Sequence, residues 1–282
     1  MLKSFLFSPF IYNFAAFLSI NAGMKYAIIA AGEGSRLAQE GVQAPKPLVR
    51  VNGEQLIDRL IRIFMDNNAT EIIVICNDVM KAVGEHLAEL ERDGLNGCRV
   101  PLRYIVKSTP SSMHSCFEIS RFLGDGPFVL TTVDTIFRED DFRRYVAAFE
   151  QSEADGMMGV TDYIDDEKPL YVGVEARENN ALNGAEYQYI TGFFDTKEEV
   201  LLNNRPSIPG TLYISGGIYG LRPSAIQTLN RCMENGESRM RNFQRGLIRD
   251  GLELEAFPFT KVLDIDHASD IAKAEAFLKI GN

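Results

Sequence analysis

The sequence predicts an α/β fold of three layers, with helices packed on both faces of a mostly parallel sheet. Two observations carry that expectation. Through the first half, short apolar runs of strand type alternate with segments of helical periodicity, the βαβα order that builds parallel sheets. Two of those runs also end in chemically loaded turns, a glycine-rich loop after Ala31 and an aspartate, Asp134, after Val133. In open sheets ligands sit beyond the carboxyl ends of the strands, so both turns are expected to face one cleft.

Tyr26–Ala31 is the first strand. Glu54–Asn67 reads as a helix, because Leu56, Ile57, Leu60, Ile61 and Phe64 recur at the spacing of one helical face. Glu71–Cys76 is a second buried strand, Val79–Arg92 a helix and Leu102–Val106 a strand. Ser112–Leu123 is a helix with serines available as caps. Pro127–Val133 is the fourth strand. The second half is less regular. Gly156–Thr161, Leu170–Glu175, Tyr187–Phe194 and Thr211–Leu221 read as strands, and Pro223–Asn235 and Ser238–Asp250 as helices. Leu252–Phe259 and Lys261–Leu263 are strands, and Ala268–Leu278 closes the chain as a helix. No repeat or low-complexity linker interrupts this order, so residues 24–282 are expected to form a single domain.

Composition narrows the class. The chain has 282 residues, 45% hydrophobic and 24% charged, as in ordinary soluble domains. A core of that size needs no disulfide or metal staple. The net charge of −10 argues against a nucleic-acid binder, which carries a basic field. It leaves room for a locally basic pocket and a small anion. The four cysteines, Cys76, Cys98, Cys116 and Cys232, form no C-x-x-C pair, and the three histidines complete no zinc pattern. A reducing, cytoplasmic home is expected.

Residues 1–23 read as an upstream extension outside the fold. The stretch is apolar and aromatic, but Pro9 and Asn13 break it, and Ile20 spoils a cleavage site after Ala22. It is too interrupted for a membrane span. Met24 stands directly before the first strand and is the expected start. A targeting segment and a docked helix are the alternatives.

The chemistry is concentrated in "AAGEGSRLAQEGVQAPKPL". Gly32 and Gly34 permit backbone angles and close approaches that side chains block. Free N–H groups in such a turn hold anionic oxygens. Ala30, Ala31, Gly32, Gly34 and Ser35 are therefore the expected nucleotide-phosphate cradle. Arg36 can clamp an anion through two N–H groups, and Lys46 adds a point charge. Pro45 and Pro47 are expected to hold Lys46 extended, with the loop running on to Pro45. A dinucleotide fingerprint does not fit, since Leu37 stands where its last glycine belongs, and the G-K-[ST] of a P-loop is absent.

This segment resembles the signature of sugar-1-phosphate nucleotidylyltransferases (NDP-sugar pyrophosphorylases), and is similar to related MobA-like and phosphocholine cytidylyltransferases. The resemblance runs, with gaps, from Met24 to Leu278. It implies the Rossmann-like, GT-A-like fold of nucleotide-diphospho-sugar transferases. Residues 24–137 would then form a nucleotide-binding half and 138–282 an acceptor-binding half. It also implies catalytic roles for Arg36 and Lys46, and Mg²⁺ as cofactor. The family's aspartate after the central strand falls on Asp134 in "LTTVDTIF", with Val133 where the family has glycine. Its second metal carboxylate falls in "VLDIDHASDIAKAEAF", on Asp264 first and Asp266 close behind. The two are two residues apart, so both face one side of an extended segment. The alternative for Asp266 is a cap on the last helix.

Four weaker likenesses concern specificity. "YIVKSTPSSMHSCF" resembles the base-recognition loop, with Lys107 and Ser112 where the family has Gln and Gly. Lys107 donates but cannot accept, so it cannot copy both halves of a Gln contact. "LYVGVEA" places Gly173 near the acceptor, and "YISGGIYGL" does the same for Gly217. "TGFFDTKEE" offers Lys197 to the acceptor phosphate, with a solvated loop lysine as the alternative. The activity implied is NTP + sugar 1-phosphate → NDP-sugar + pyrophosphate. Cytidylyl transfer to phosphocholine or another small phosphorylated alcohol is the second reading. A nucleotide- or sugar-binding regulator without turnover is the third. The expected partners are a nucleoside triphosphate and a phosphorylated small molecule, with no nucleic acid and no membrane; a homo-oligomer is a further expectation.

Overall fold

The computed structural model describes residues 23–279 apart from 125, 166, 183–184 and 207–208. The extension expected for 1–23 therefore lies, except for Gly23, outside the described residues.

Strand β1 (Lys25–Ala30) leads through helix α1 (Ser35–Gln39) and a 3-10 turn at Lys46–Leu48 into a tight hairpin. The hairpin joins β2 (Arg50–Val51) to β3 (Glu54–Gln55) across Asn52 and Gly53, with φ of 51° and 84°. Positive φ at both turn residues matches the twist of paired strands. There follow α2 (Leu56–Asp66), β4 (Glu71–Cys76), α3 (Lys81–Asp93), β5 (Leu102–Val106), α4 (Ser112–Ser120), β6 (Phe128–Thr132) and the short β7 (Thr135–Ile136). The second half contains α5 (Glu139–Gln151), β8 (Gly156–Thr161), a hairpin of β9 (Tyr171–Leu182) and β10 (Ala185–Phe194), and α6 (Lys197–Asn203). It ends with β11 (Tyr213–Leu221), α7 (Ser224–Glu234), α8 (Met240–Arg249), β12 (Leu254–Pro258), β13 (Leu263–Asp264) and α9 (Ala268–Lys279).

One nine-stranded sheet runs in the order β5-β4-β1-β6-β11-β8-β12-β10-β9. Only β11 and β10 run against the rest, so the sheet is mostly parallel. Alternation along β1 sends Tyr26, Ile28 and Ala30 into one core and Ala27 and Ile29 into the other. Helices α2, α3, α5 and α9 cover the first face, and α4, α7 and α8 the second. These are the three expected layers.

Helix α5 occupies a stretch to which the sequence reading assigns no element. Its apolar stripe is as regular as that of α2, with Phe142, Tyr145, Val146 and Phe149 all buried. Two local expectations are corrected. The loop after Gly34 does not run unbroken to Pro45, because Ser35–Gln39 closes into α1. Lys46 is not extended either. Leu48 N–H donates to Pro45 O at 2.8 Å and Val49 N–H to Lys46 O at 3.1 Å, closing a 3-10 turn. Pro47 fits that turn because a first-turn N–H would have no partner anyway.

An aromatic cluster sets the position of the segment after Asp134. Phe137 stacks on Phe142 with ring centres 5.0 Å apart and meets Phe259 edge-on at 5.8 Å. Buried Arg59 lies over the Phe137 ring and donates to Phe137 O at 2.6 Å. Among the described residues no helix is long and apolar enough to cross a membrane. The four cysteines are free thiols, and only Cys98 is exposed.

Candidate active site

The carboxyl ends of β1, β4, β5 and β6 open on a cleft of about 510 Å³. Residues 31–36 form one wall, Asn77, Ser108 and Ser112 the opposite one, and Lys46, Asp134 and Asp266 the base. Gly34 has φ 62°, in the left-handed region. A Cβ there would lie 3.0 Å from the Lys46 Cβ. Glycine at 34 thus lets the loop turn and lets Lys46 pack behind it. A Cβ on Gly32 would meet nothing within 4 Å, because that residue faces the open cleft. Ala31 and Ser35 line the cleft, and Ala30 is buried beneath it.

Lys46 is the centre of the charge arrangement. Its ammonium donates to Asp134 and, at 2.7 Å, to Asp266 Oδ1. The Lys46 side chain is 9% exposed. Burial alone would lower its pKa, but the charge of Asp134 and the hydrogen bonds to Asp134 and Asp266 hold it well above the usual lysine value. Arg36, half exposed at the mouth, donates to Asp266 Oδ2 at 3.1 Å. Two cations and two carboxylates thus form one chain of contacts whose formal charges sum to zero.

Local pairing brings these distant residues together. β13 runs antiparallel to β7, matching Asp264 to Thr135 and Leu263 to Ile136. Ile265 N–H then donates to Asp134 O at 3.1 Å. Asp270, in the first turn of α9, reaches back toward the segment considered as a cap, its Oδ2 accepting the N–H groups of Asp266 and His267 at 3.2 and 2.8 Å. The Asp266 carboxylate is left to the site. Glu40 adds a latch between α1 and α9, accepting Ala268 N–H and contacting His267 Nδ1, both at 2.6 Å.

Asp264, ranked first as metal carboxylate on the sequence, and Asp266 stand in different contacts. Asp266, not Asp264, reaches the ammonium shared with Asp134. Asp264 is exposed in β13 and lines an adjoining pocket of about 200 Å³, which it shares with Ser215, Gly216 and Asp266. Among the described residues, no three His, Cys, Asp or Glu side chains are grouped to hold a metal by themselves.

The specificity residues scatter. Lys107 does not line the cleft, because its ammonium is held by Glu118 of α4 at 2.6 Å. Ser112 does line it. Gly217, with φ 70°, sits in a bulge of β11 behind the Asp134 turn, where a Cβ would lie 3.3 Å from Thr135 Oγ1. Its neighbour Gly216 reaches the adjoining pocket. Gly173 is buried in β9, paired with Gly192 of β10, and lines none of these hollows. Lys197 opens α6 and faces a separate cleft.

The sequence reading missed Asn77 and Ser108, whose side chains are joined at 2.7 Å in the cleft wall. Both follow strand ends, at the carboxyl edges of β4 and β5, and the strand-end rule could have found them. The Glu40 latch has no sequence signal, because its partners lie more than two hundred residues away.

Comparison with known proteins agrees with this architecture. Over 179 residues the chain is 27% identical to the bifunctional IPC transferase and DIPP synthase of Thermococcus kodakarensis, covering 61% of this chain and 38% of that protein. It is 26% identical over 166 residues to the CMP-5'-(3-aminopropyl)phosphonate synthase of Streptomyces rubellomurinus, covering 51% of this chain and 25% of that protein. The chain thus spans well under half the length of these relatives. The inositol-1-phosphate CTP transferase from T. maritima superposes with a TM-score of 0.66 at 18% identity, over 93% of this chain and 98% of that one. That likeness shows the fold. Residues 26–195, including the glycine loop, Lys46 and Asp134, match the MobA-like NTP transferase domain, and the chain belongs to that family.

Proposed function

We propose that the chain transfers a nucleoside monophosphate from a nucleoside triphosphate to a small phosphorylated acceptor, releasing pyrophosphate. The observation that carries this reading is the convergence of Arg36, Lys46, Asp134 and Asp266 in front of the Gly32–Gly34 loop. In the step, an acceptor phosphate oxygen bonds to the α-phosphorus while the bond to the bridging oxygen of pyrophosphate breaks. Both reactants are anions, so positioning and charge neutralisation can carry nearly all the catalysis, without a protein nucleophile or base. The loop N–H groups would hold the triphosphate. Arg36 and Lys46 would stabilise the charge growing on the departing pyrophosphate. Residues 24–137 would serve the nucleotide and 138–282 the acceptor.

The carboxylates fit Mg²⁺, a hard ion that binds through one or two carboxylates and substrate phosphates. Asp134 and Asp266 already converge on one cation, and Asp264 stands on the same edge. The zero formal charge of the four-residue cluster also leaves no surplus to offset a triphosphate. Magnesium held by these aspartates would supply that divalent charge.

Cytidine and a phosphorylated alcohol are our first assignment for base and acceptor. The names of the relatives support it, since they describe a CMP-linked phosphonate synthase and a CTP transferase. A sugar 1-phosphate is the second assignment, resting on the resemblance of the glycine loop and Lys46. The test is pyrophosphate release by the purified full chain, with four nucleotides against inositol 1-phosphate, glucose 1-phosphate, phosphocholine and 3-aminopropylphosphonate. Release with one nucleotide–acceptor pair is expected. Nucleotide binding without release for every acceptor would replace the transferase reading with the regulator.

A further inference from the structure

A second large hollow, about 960 Å³, lies on the acceptor side between the start of β9, the β10–α6 turn and the first turns of α8. Its cations are Lys168, Lys197, Arg239, Arg241 and Arg245. Among the described residues, Glu167, Asp195 and Glu198 stand against them, so the described lining is net +2 (five minus three) in a chain of net −10. Nothing in the nucleotidyl-transfer step, as placed around Lys46, uses these groups.

The cleft is organised for an anion. Asp195 holds two guanidinium groups at once, Arg241 Nη1 at 2.7 Å and Arg245 Nη2 at 2.8 Å. One carboxylate cannot neutralise both, so a positive charge is left over. Backbone carbonyls fix the aim, with Arg245 Nε donating to Phe193 O at 3.1 Å and Arg241 Nη2 to Lys168 O at 3.2 Å. The side chains of Lys197 and Arg239 form no ion pair with any described residue. Arg239 also holds φ 75° and ψ 139°, a conformation that costs a non-glycine residue. Its N–H lies 3.4 Å from Ser111 Oγ, in the wall of the nucleotide cleft.

The hollows adjoin one another. Arg36 and Asp266 line both the nucleotide cleft and the pocket beside Asp264. Glu167 lines both that pocket and the cationic cleft. An acceptor whose reacting phosphate lies at Asp134 and Asp266 would extend through the middle pocket toward the cations.

We propose that the acceptor carries a second anionic group, a carboxylate or phosphate remote from the reacting phosphate, and that Arg239, Arg241, Arg245 and Lys197 bind it. This rests on the transferase reading and narrows its substrate class. Charge-assisted hydrogen bonds to a carboxylate or phosphate are the strong ones. At a partly exposed site they correspond to roughly a tenfold preference.

The test uses the full chain and matched acceptors, glycerol phosphate against phosphoglycerate and a hexose 1-phosphate against the hexose bisphosphate. The member of at least one pair that carries the second anionic group is expected to show about tenfold higher kcat/KM, mostly through KM. Arg241→Gln should bring that ratio down toward one. Arg239→Gly gives a sharper readout. Glycine accepts the positive φ, so thermal stability should rise by about 2 °C, while the preference for the acceptor with two anionic groups falls. A purely structural role for Arg239 predicts no loss of preference. Equal kcat/KM within both pairs, or a preference untouched by both variants, overturns the proposal. If no acceptor releases pyrophosphate, the transferase reading fails on its own. Calorimetric titration with phosphoglycerate and glycerol phosphate, in the presence of a non-hydrolysable nucleotide, then decides the second site: a preference for phosphoglycerate lost in Arg239→Gly supports it, and no preference overturns it.

Discussion

Lys46 and Arg241 are both cations held by aspartate, yet the two arrangements are inverted. At Lys46 one ammonium, 9% exposed, lies between two carboxylates. In the cleft at Arg241 one carboxylate, Asp195, lies between two guanidinium groups that are about one-third exposed. The first arrangement, with Arg36 included, has no positive charge to spare and becomes a good host for phosphate once a further cation arrives. The second has positive charge to spare and can meet an anion directly. Burial sharpens the contrast, because charges interact more strongly away from water and salt. The Lys46 cluster is thus suited to rigid charge stabilisation in a reaction, and the Arg241 cleft to salt-sensitive recognition.

The largest expected effects lie on the Lys46 side. Chelation of divalent ions should abolish pyrophosphate release, and added Mg²⁺ should restore it. Asp134→Ala and Arg36→Ala should each lower turnover at least about a hundredfold, the scale for one preorganised charge-stabilising group. Both variants should keep a native circular dichroism spectrum, since each residue sits outside the core. Wild-type turnover in Asp134→Ala with Mg²⁺ present would remove the contrast between the two regions. Asp266→Asn should cost about tenfold, and more than Asp264→Asn, because only Asp266 reaches Lys46 and Arg36. The reverse order, measured as kcat at saturating substrates, would restore Asp264 as the leading carboxylate.

Smaller effects refine the picture. Gly34→Ala should destabilise by roughly 1–2 kcal/mol in denaturant unfolding, from its left-handed φ and its contact with Lys46 Cβ. Raising salt should erode any acceptor preference set at Arg241 before it affects turnover at saturation. The smallest effect concerns a pair remote from both regions. His86 Nε2 lies 2.6 Å from Asp58 Oδ1, and that hydrogen bond, against the opposing effect of burial, raises the histidine pKa, with Glu89 assisting and Arg50 opposing. A raised folded pKa gives stability that is full below the unfolded value of 6.5 and fades as pH climbs through the folded one. Asp58→Asn should therefore lower the melting temperature most below pH 6.5 and progressively less above it.

The fold was largely legible because periodicity reports burial directly. β4 is buried at nearly every position, and α2 shows a one-sided stripe; both were readable without a partner in view. Helix α5 carried a stripe of the same quality, so its omission was a failure of reading rather than of signal. The hairpin at Asn52 and Gly53 was missed too, although the turn dipeptide carries its signal. The site was legible only where chemistry lies in a continuous segment. Gly32, Gly34, Arg36 and Lys46 fall in one stretch, and Asp134 follows a strand end. Lys107 looked equally placed, but the sequence could not show that Glu118, one helix away in space, would take its ammonium.

By itself, then, the sequence determined the layers, the glycine turn and the residue types able to hold phosphate, because these depend on local backbone sterics and on the pattern of apolar side chains. Only the tertiary structure decided which aspartate faces Lys46, since that follows from the pairing of β13 with β7 and from the hold of Asp270 on the backbone of Asp266 and His267. It alone decided that Arg239, Arg241 and Arg245 open into one cleft with Lys197. Charges far apart in the chain acquire meaning through distance and shared solvent exclusion, and neither is written in any single segment.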